Sequence, residues 1–196
     1  MPLRPRSWPR RAAVCIATLA SGAVAVAGAV YVAIWHDDNF HAVEAGVVYR
    51  SAQMSGAHLR EVIATQHIRA VLNLRGPNPG QGWYDDEVAA ARDAGVRHID
   101  IALSARHELS AQQLNDVRRA LADGPKPLLI HCNGGSDRTG LVSALYLLSR
   151  GASPAAADEQ LALRYGHFPW LGVKSVAMDR TFAAVVAADA ASTSAR

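Results

Sequence analysis

Residues 127–149 constrain the fold more than any other part of this chain. A short apolar strand, Pro127-Leu128-Leu129-Ile130-His131, runs into the loop Cys132-Asn133-Gly134-Gly135-Ser136-Asp137-Arg138-Thr139-Gly140, and an apolar helix from Leu141 to Ser149 follows at once. A continuous apolar strand reads as buried on both faces, so the sheet around it must be covered on both sides. The flanking sequence supplies the cover. Val47-Val48-Tyr49 reads as a strand, and Ser55 N-caps a helix to about His67. Residues 68–74 read as a buried strand that ends in a Gly/Pro/Asn loop over 75–82. A helix from Tyr84 to Ala94 closes on Gly95, a strand spans 96–101, and Ser110 with Gln113 forms a capping box for a helix to Ala122. Ser153 with Pro154 opens a helix to Tyr165, and Ser175 caps a last one to Ala190. Strands and helices alternating in this way predict an α/β domain with a mostly parallel central sheet flanked by helices.

The 196 residues hold one sizeable core, and half are hydrophobic while 19% are charged, which excludes disordered, collagen-like and polytopic membrane chains. The formal charge of +3 misleads. Arg4, Arg6, Arg10 and Arg11 precede any acid, and without them 16 basic and 17 acidic residues remain, interspersed. No basic stripe with interleaved aromatics is left, so nucleic acid is excluded as a partner. From Ala12 to Trp35 the chain runs 24 residues without a charge, which as a helix would reach about 36 Å, enough to cross a bilayer. Arginines before it and Asp37-Asp38 after it orient the N-terminus to the cytoplasm. A retained signal anchor is the preferred reading. The alternative is a signal peptide cleaved after Ala25-Val26-Ala27, leaving a secreted or periplasmic domain. The expected organisation is a basic cytoplasmic segment (1–11), a transmembrane anchor (12–35), a connector (36–41), a catalytic domain (42–190) and a tail (191–196).

Cys15 lies in the apolar run and Cys132 in the domain, so they do not pair. An exported, unpaired cysteine is a liability unless it does chemistry. A strand-to-helix loop turns successive backbone N–H groups toward one point, and the helix N-terminus adds positive potential, so Asn133, Gly134, Gly135, Ser136 and Thr139 are expected to cradle a phosphate-sized dianion. Gly134 and Gly135 are expected at positive φ, where the backbone curls closely around the anion. Cys132 lies in the same field, which favours its thiolate. Arg138 closes the ring with a planar fork for two phosphate oxygens. Nucleophile, cradle and clamp suit in-line attack on phosphorus and a phosphocysteine that water hydrolyses. Thr139 is expected to donate a hydrogen bond to the cysteine sulfur. The chemistry calls for no metal and no cofactor.

The string HCNGGSDRTG resembles the signature of the protein-tyrosine and dual-specificity phosphatase superfamily: His-Cys, five residues, Arg, Ser/Thr, Gly. The resemblance extends over roughly residues 39–189. It implies a cysteine-dependent phosphate monoester hydrolase of dual-specificity type, acting on a phosphorylated lipid or inositide head, a small ester, or a phosphotyrosine or phosphoserine protein. It also implies a general acid. Many members carry an aspartate about thirty residues before the cysteine, where Asp100 stands here, but in a strand; the following loop offers only His107 and Glu108. Members resembling lipid and inositide phosphatases place the acid inside the loop, at the position of Asp137. Asp137, Asp100, and Glu108 or a water remain the alternatives. His131 is expected to order the loop, and Arg75 either lines the pocket or forms a structural ion pair. Trp83, Phe168 and Trp170 read as packing, Trp170 with Lys174 also as a rim for substrate or lipid, and Tyr146 as helix core. A rhodanese-like sulfurtransferase would need no Thr139-Gly140 element, and a non-catalytic phosphate-binding module would lack Cys132 or Arg138. Oligomeric state is not legible.

Overall fold

A computed structural model describes residues 8–35, 37–170 and 173–194; most of the expected basic segment and the end of the tail lie outside them. The elements in order are α1 (Trp8–Trp35), β1 (His41–Glu44), β2 (Val48–Ser51), α2 (Gly56–Gln66), β3 (Ala70–Asn73), α3 (Gly82–Asp93), β4 (Arg97–Asp100), α4 (Ala111–Asp123), β5 (Leu128–His131), α5 (Asp137–Ser149), α6 (Pro154–Asp158) and α7 (Val176–Ser194). Two short 3-10 turns, Glu159–Leu161 and Leu163–Tyr165, follow α6.

The five strands form one sheet in the order β1-β2-β5-β3-β4, parallel except for the antiparallel edge strand β1. β5 lies at the centre between β2 and β3, buried along its length. Because side chains alternate along a strand, each strand feeds two cores. Val71, Leu129 and Tyr49 pack with Leu59, Val62 and Ile63 of α2 and Ala90 of α3 on one face. Leu72, Leu128 and Ile130 pack with Val117, Leu141, Leu145 and Met178 on the other. The helix caps follow their sequence signals: Ser55 accepts from His58, Ser153 from Ala156, and Ser110 with Gln113 completes a capping box.

Three expectations change. The segment around the 36–41 connector yields an additional strand, β1, paired antiparallel to β2. The helix expected over residues 154–165 stops at Asp158 and continues as two 3-10 turns, the second closed by Gly166 at φ +81°. The helix after the cysteine loop begins at Asp137, four residues before Leu141, so Asp137, Arg138 and Thr139 occupy its first turn. α1 carries an 18-residue window, Ala12–Ala29, of mean hydropathy 2.0, none of it buried against the domain. It is long and apolar enough to cross a membrane, as an anchor or as a signal sequence.

Candidate active site

β5 delivers Cys132, almost fully buried, at the carboxyl end of the central strand. The loop beyond it is shaped from behind by its carbonyl groups. The Asn133 carbonyl accepts from the Gln53 amide at 3.1 Å, Gly134 from Asn39 Nδ2 at 3.0 Å, and Gly135 from Arg50 Nη2 at 2.7 Å. In a trans peptide the N–H points opposite to the carbonyl. Three consecutive carbonyls held by the domain therefore turn the amides of Gly134, Gly135 and Ser136 the other way, and among the described residues none of the three donates to a carbonyl. The result is a row of amides without carbonyl partners at the N-terminus of α5, where the helix adds positive potential.

Only one of the two glycines takes a left-handed conformation. Gly135 has φ +68°, whereas Gly134 does not have the positive φ expected of it. A Cβ at Gly135 would sit 2.6 Å from the Ala52 nitrogen, so the loop lies directly on the end of β2. The glycine after Thr139 serves packing: a Cβ on Gly140 would meet the Gln160 carbonyl oxygen at 2.7 Å.

Arg50 was invisible as a site residue in the sequence. It projects from β2, is fully buried, donates through Nη1 to the Gln160 carbonyl and Oε1 at 2.8 Å each, and lies 3.9 Å over the Tyr165 ring. Burial pulls its pKa down to about 10 against the opposing pull of Tyr165 and Cys132, so it remains a cation at neutral pH. The available signal was an arginine inside Val48-Tyr49-Arg50-Ser51, a strand buried at every position.

Arg138 is placed by the first turn of α5, with Nη1 donating to the Leu74 carbonyl at 3.3 Å and the Leu103 carbonyl at 3.2 Å. Its Nε has no partner among the described residues, which leaves donor capacity for an anion. Thr139 Oγ1 is buried and likewise unpartnered, so the expected bond to the Cys132 sulfur is not formed. Arg75 forms no ion pair among the described residues. It donates to Gln53 Oε1 at 3.0 Å and stacks 3.4 Å over Trp83, and both burial and Arg138 lower its pKa.

His131 braces the start of the loop through Nε2, 3.1 Å from Glu87 Oε1. Glu87, 2% exposed, also accepts from His98 Nε2 at 2.7 Å and Gln53 Nε2 at 2.5 Å. Burial alone would raise its pKa; the bonds from His131, His98 and Gln53 outweigh that and hold it at about 2.

The three candidate acids occupy different settings. Asp100, at the end of β4, accepts from Asn73 Nδ2 at 2.8 Å on one oxygen and from the Tyr84 hydroxyl at 2.7 Å on the other. Both oxygens are thus committed within the fold. Glu108 is exposed and 3.9 Å from Arg180. Asp137 is the first residue of α5, partly exposed, with Oδ1 2.7 Å from His167 Nδ1. It shares a cavity of about 380 Å³ with Ala105, Arg106, Val173 and Lys174. Phe168 and Trp170 form an exposed edge-to-face pair, centroids 4.8 Å apart, and so are surface aromatics rather than core packing. Tyr146 is buried in α5 with its hydroxyl donating to Glu44.

Residues 39–183 match the family model described as Swiss Army Knife protein, DSP-PTPase phosphatase domain. Among solved structures, the core catalytic domain of the PP-IP phosphatase Siw14 from S. cerevisiae superposes with a TM-score of 0.59, covering 80% of this chain and 93% of that one at 16% identity. TpbA of P. aeruginosa gives 0.51, 69% and 80% at 23% identity. PTPMT1 gives 0.52, 77% and 98% at 19% identity. TpbA has also been crystallised with pTyr and PTPMT1 with PI(5)P. At these identities the likeness is one of fold. A comparison with curated protein sequences finds no match.

Proposed function

The chain belongs to the dual-specificity and protein-tyrosine phosphatase superfamily, in the family of DSP-PTPase phosphatase domains, and from that premise we propose a mechanism and a substrate class. Cys132 Sγ, as the thiolate, attacks phosphorus in line; the S–P bond forms, and the bond to the leaving oxygen breaks with its electron pair on that oxygen. The amides of Gly134, Gly135 and Ser136, with Arg138, hold the phosphoryl oxygens and the charge that develops on them. Arg75, beside Arg138 and stacked on Trp83, adds positive potential at the rim. Asp137 gives its proton to the leaving oxygen, and then, as carboxylate, takes one from the water that releases phosphate and frees the thiolate. Asp137 is preferred over Asp100 because both Asp100 oxygens are already hydrogen-bonded.

The observation that carries this reading is the set of three consecutive carbonyls tied down by Gln53, Asn39 and Arg50, which aims a row of amides at the space beside Cys132. For substrate we favour a phosphorylated lipid or inositide-like head. Support comes from the acid inside the loop, from α1 as a signal anchor only a few residues from β1, and from neighbours described with PP-IP and PI(5)P. A phosphotyrosine protein is the second reading, favoured by TpbA with pTyr. α1 would hold the domain on the extracytoplasmic face.

The full chain in detergent should release phosphate from an aryl phosphate, and Cys132→Ser should lose all measurable turnover. Thiocyanate formed from thiosulfate and cyanide would instead indicate a sulfurtransferase, and neither product would indicate a binding module. Phosphoinositide vesicles set against phosphotyrosine peptides then decide the substrate class by kcat/KM.

A further inference from the structure

His167 lies outside the loop motif. It follows the Gly166 turn, is completely buried, and is clasped on both ring nitrogens: Nδ1 lies 2.7 Å from Asp137 Oδ1, and Nε2 lies 3.1 Å from Asp179 Oδ2 and 3.3 Å from Oδ1. A neutral imidazole carries one N–H, so it can donate to only one of two acceptors. Ionised carboxylates accept only, and satisfying both at once requires the doubly protonated ring. The charged groups facing it are Asp137 from α5, Asp179 from α7 and Asp158 from α6, all carboxylates.

Meanwhile Asp137 turns only one oxygen to His167. Its Oδ2 has no partner among the described residues, and the side chain keeps 32% exposure toward the cavity shared with Arg106 and Lys174. The carboxyl thus has an inner oxygen on the imidazole and an outer one without a partner among the described residues, beside that cavity.

We propose that His167 is a positioning residue that stores the proton Asp137 delivers, in a relay Asp179–His167–Asp137 running from α7 to the leaving group. This rests on Asp137 being the acid. In the resting state His167 is the imidazolium and Asp137 the carboxylate. When substrate binds, the Nδ1 proton of His167 passes to Asp137 Oδ1, which makes Asp137 the neutral acid and leaves a neutral ring that still donates from Nε2 to Asp179. The carboxyl then turns about its Cβ–Cγ bond, and as the bond to phosphorus breaks its O–H proton goes to the leaving oxygen, leaving Asp137 a carboxylate. In the second step the water oxygen bonds to phosphorus, the S–P pair returns to Cys132 as the thiolate, and one water proton goes to the Asp137 carboxylate. After the reverse turn of the carboxyl that proton passes to Nδ1, restoring the imidazolium and the carboxylate. Protons and charge balance over the cycle. Burial alone would drive His167 neutral; the bonds and charges of Asp137 and Asp179 overcome it and raise its pKa above the ordinary value. The relay keeps a transferable proton next to a carboxyl whose own loop is built to attract anions.

The experiment compares kcat and KM across pH for the full chain in detergent on two monoesters, a nitrophenyl phosphate with a good leaving group and an alkyl phosphate with a poor one. His167→Gln should lower kcat on the alkyl ester about 100-fold, the lower end of the range for acid catalysis, while the nitrophenyl ester and both KM values change little. Asp179→Asn should move the alkaline limb on the alkyl ester to lower pH. Equal losses on both esters, or no loss on either, would overturn the relay. If Asp137→Asn shows no leaving-group dependence, the acid assignment fails and the relay with it; if Asp137→Asn shows it and His167→Gln does not, the relay alone fails. Should His167→Gln not fold, nitrogen NMR of the wild-type imidazole decides: both nitrogens protonated at pH 7.5 supports the relay, a neutral ring overturns it.

Discussion

Two ionic clusters, each centred on a buried group, grip the cysteine loop at its two ends, made of the same two kinds of group, imidazole and carboxylate, in opposite proportion. On the strand side His131 and His98 close on one carboxylate, Glu87. On the helix side Asp137 and Asp179 close on one imidazole, His167. The first arrangement surrounds an acid with donors and fixes it in a single charge state across the physiological range. The second surrounds a base with acceptors, whose bonds and charges outweigh burial and raise its pKa above the ordinary value. The strand-side cluster is suited to hold Cys132 still, and the helix-side cluster to pass protons. Imidazole and carboxylate together suit a brace or the proposed relay, according to which is outnumbered.

The largest effect expected from breaking this symmetry is at Glu87. Glu87→Ala would leave His131, His98 and Gln53 facing an empty buried space and cost about 3–5 kcal/mol, the scale for removing one partner of a buried pair; a denaturant midpoint equal to wild type would remove the brace from the account. Asp179→Asn, at a partly exposed carboxylate, should cost about 1–2 kcal/mol, read in the same titration. The pH dependence of stability separates the clusters further. Glu87 is depressed from 4.5 to about 2, so its contribution is complete above pH 4.5 and lost as pH falls toward 2. His167 is raised from 6.5, so its contribution is complete below pH 6.5 and lost as pH rises through its folded value. Unfolding monitored from pH 3 to 9 should therefore fall away on both sides, and Asp179→Asn should flatten the alkaline side only. The smallest effect belongs to His98→Asn, which removes one of three donors from Glu87 and should cost about 0.5–1.5 kcal/mol with turnover retained.

What the sequence makes legible is what neighbouring residues determine. The β5–loop–α5 unit could be read because strand, cysteine, glycines and arginine fall within a few residues of one another, and the caps Ser55, Ser110 and Ser153 act three residues away. Asn39, Arg50 and His167 escaped because their work is done at a distance. Arg50 meets Gly135 across 85 positions, and His167 meets Asp137 across 30. The broken helix after Pro154 has the same origin: the Gln160 carbonyl is committed to Arg50 and lies against Gly140, and tertiary contact overrides local propensity. β1 was hidden because His41-Ala42-Val43-Glu44 is short, half exposed and lies at the sheet edge, so it carries no strong apolar pattern. The choice among Asp137, Asp100 and Glu108 turns on hydrogen-bond partners that no spacing records.

Arg50 has a consequence for the unliganded protein. It is a fully buried cation whose hydrogen bonds all go to neutral oxygens, with no carboxylate in an ion pair with it among the described residues. Folding thus sets aside a positive charge behind the loop with no carboxylate bonded to it among the described residues. On the proposed reading, an anion bound in front of the loop would offset that charge, since Arg50 holds the Gly135 carbonyl from behind. Occupancy and folding then become a single linked equilibrium, and the vessel is sturdier full than empty. At a hundred times its dissociation constant, inorganic phosphate should add about 2.7 kcal/mol to unfolding.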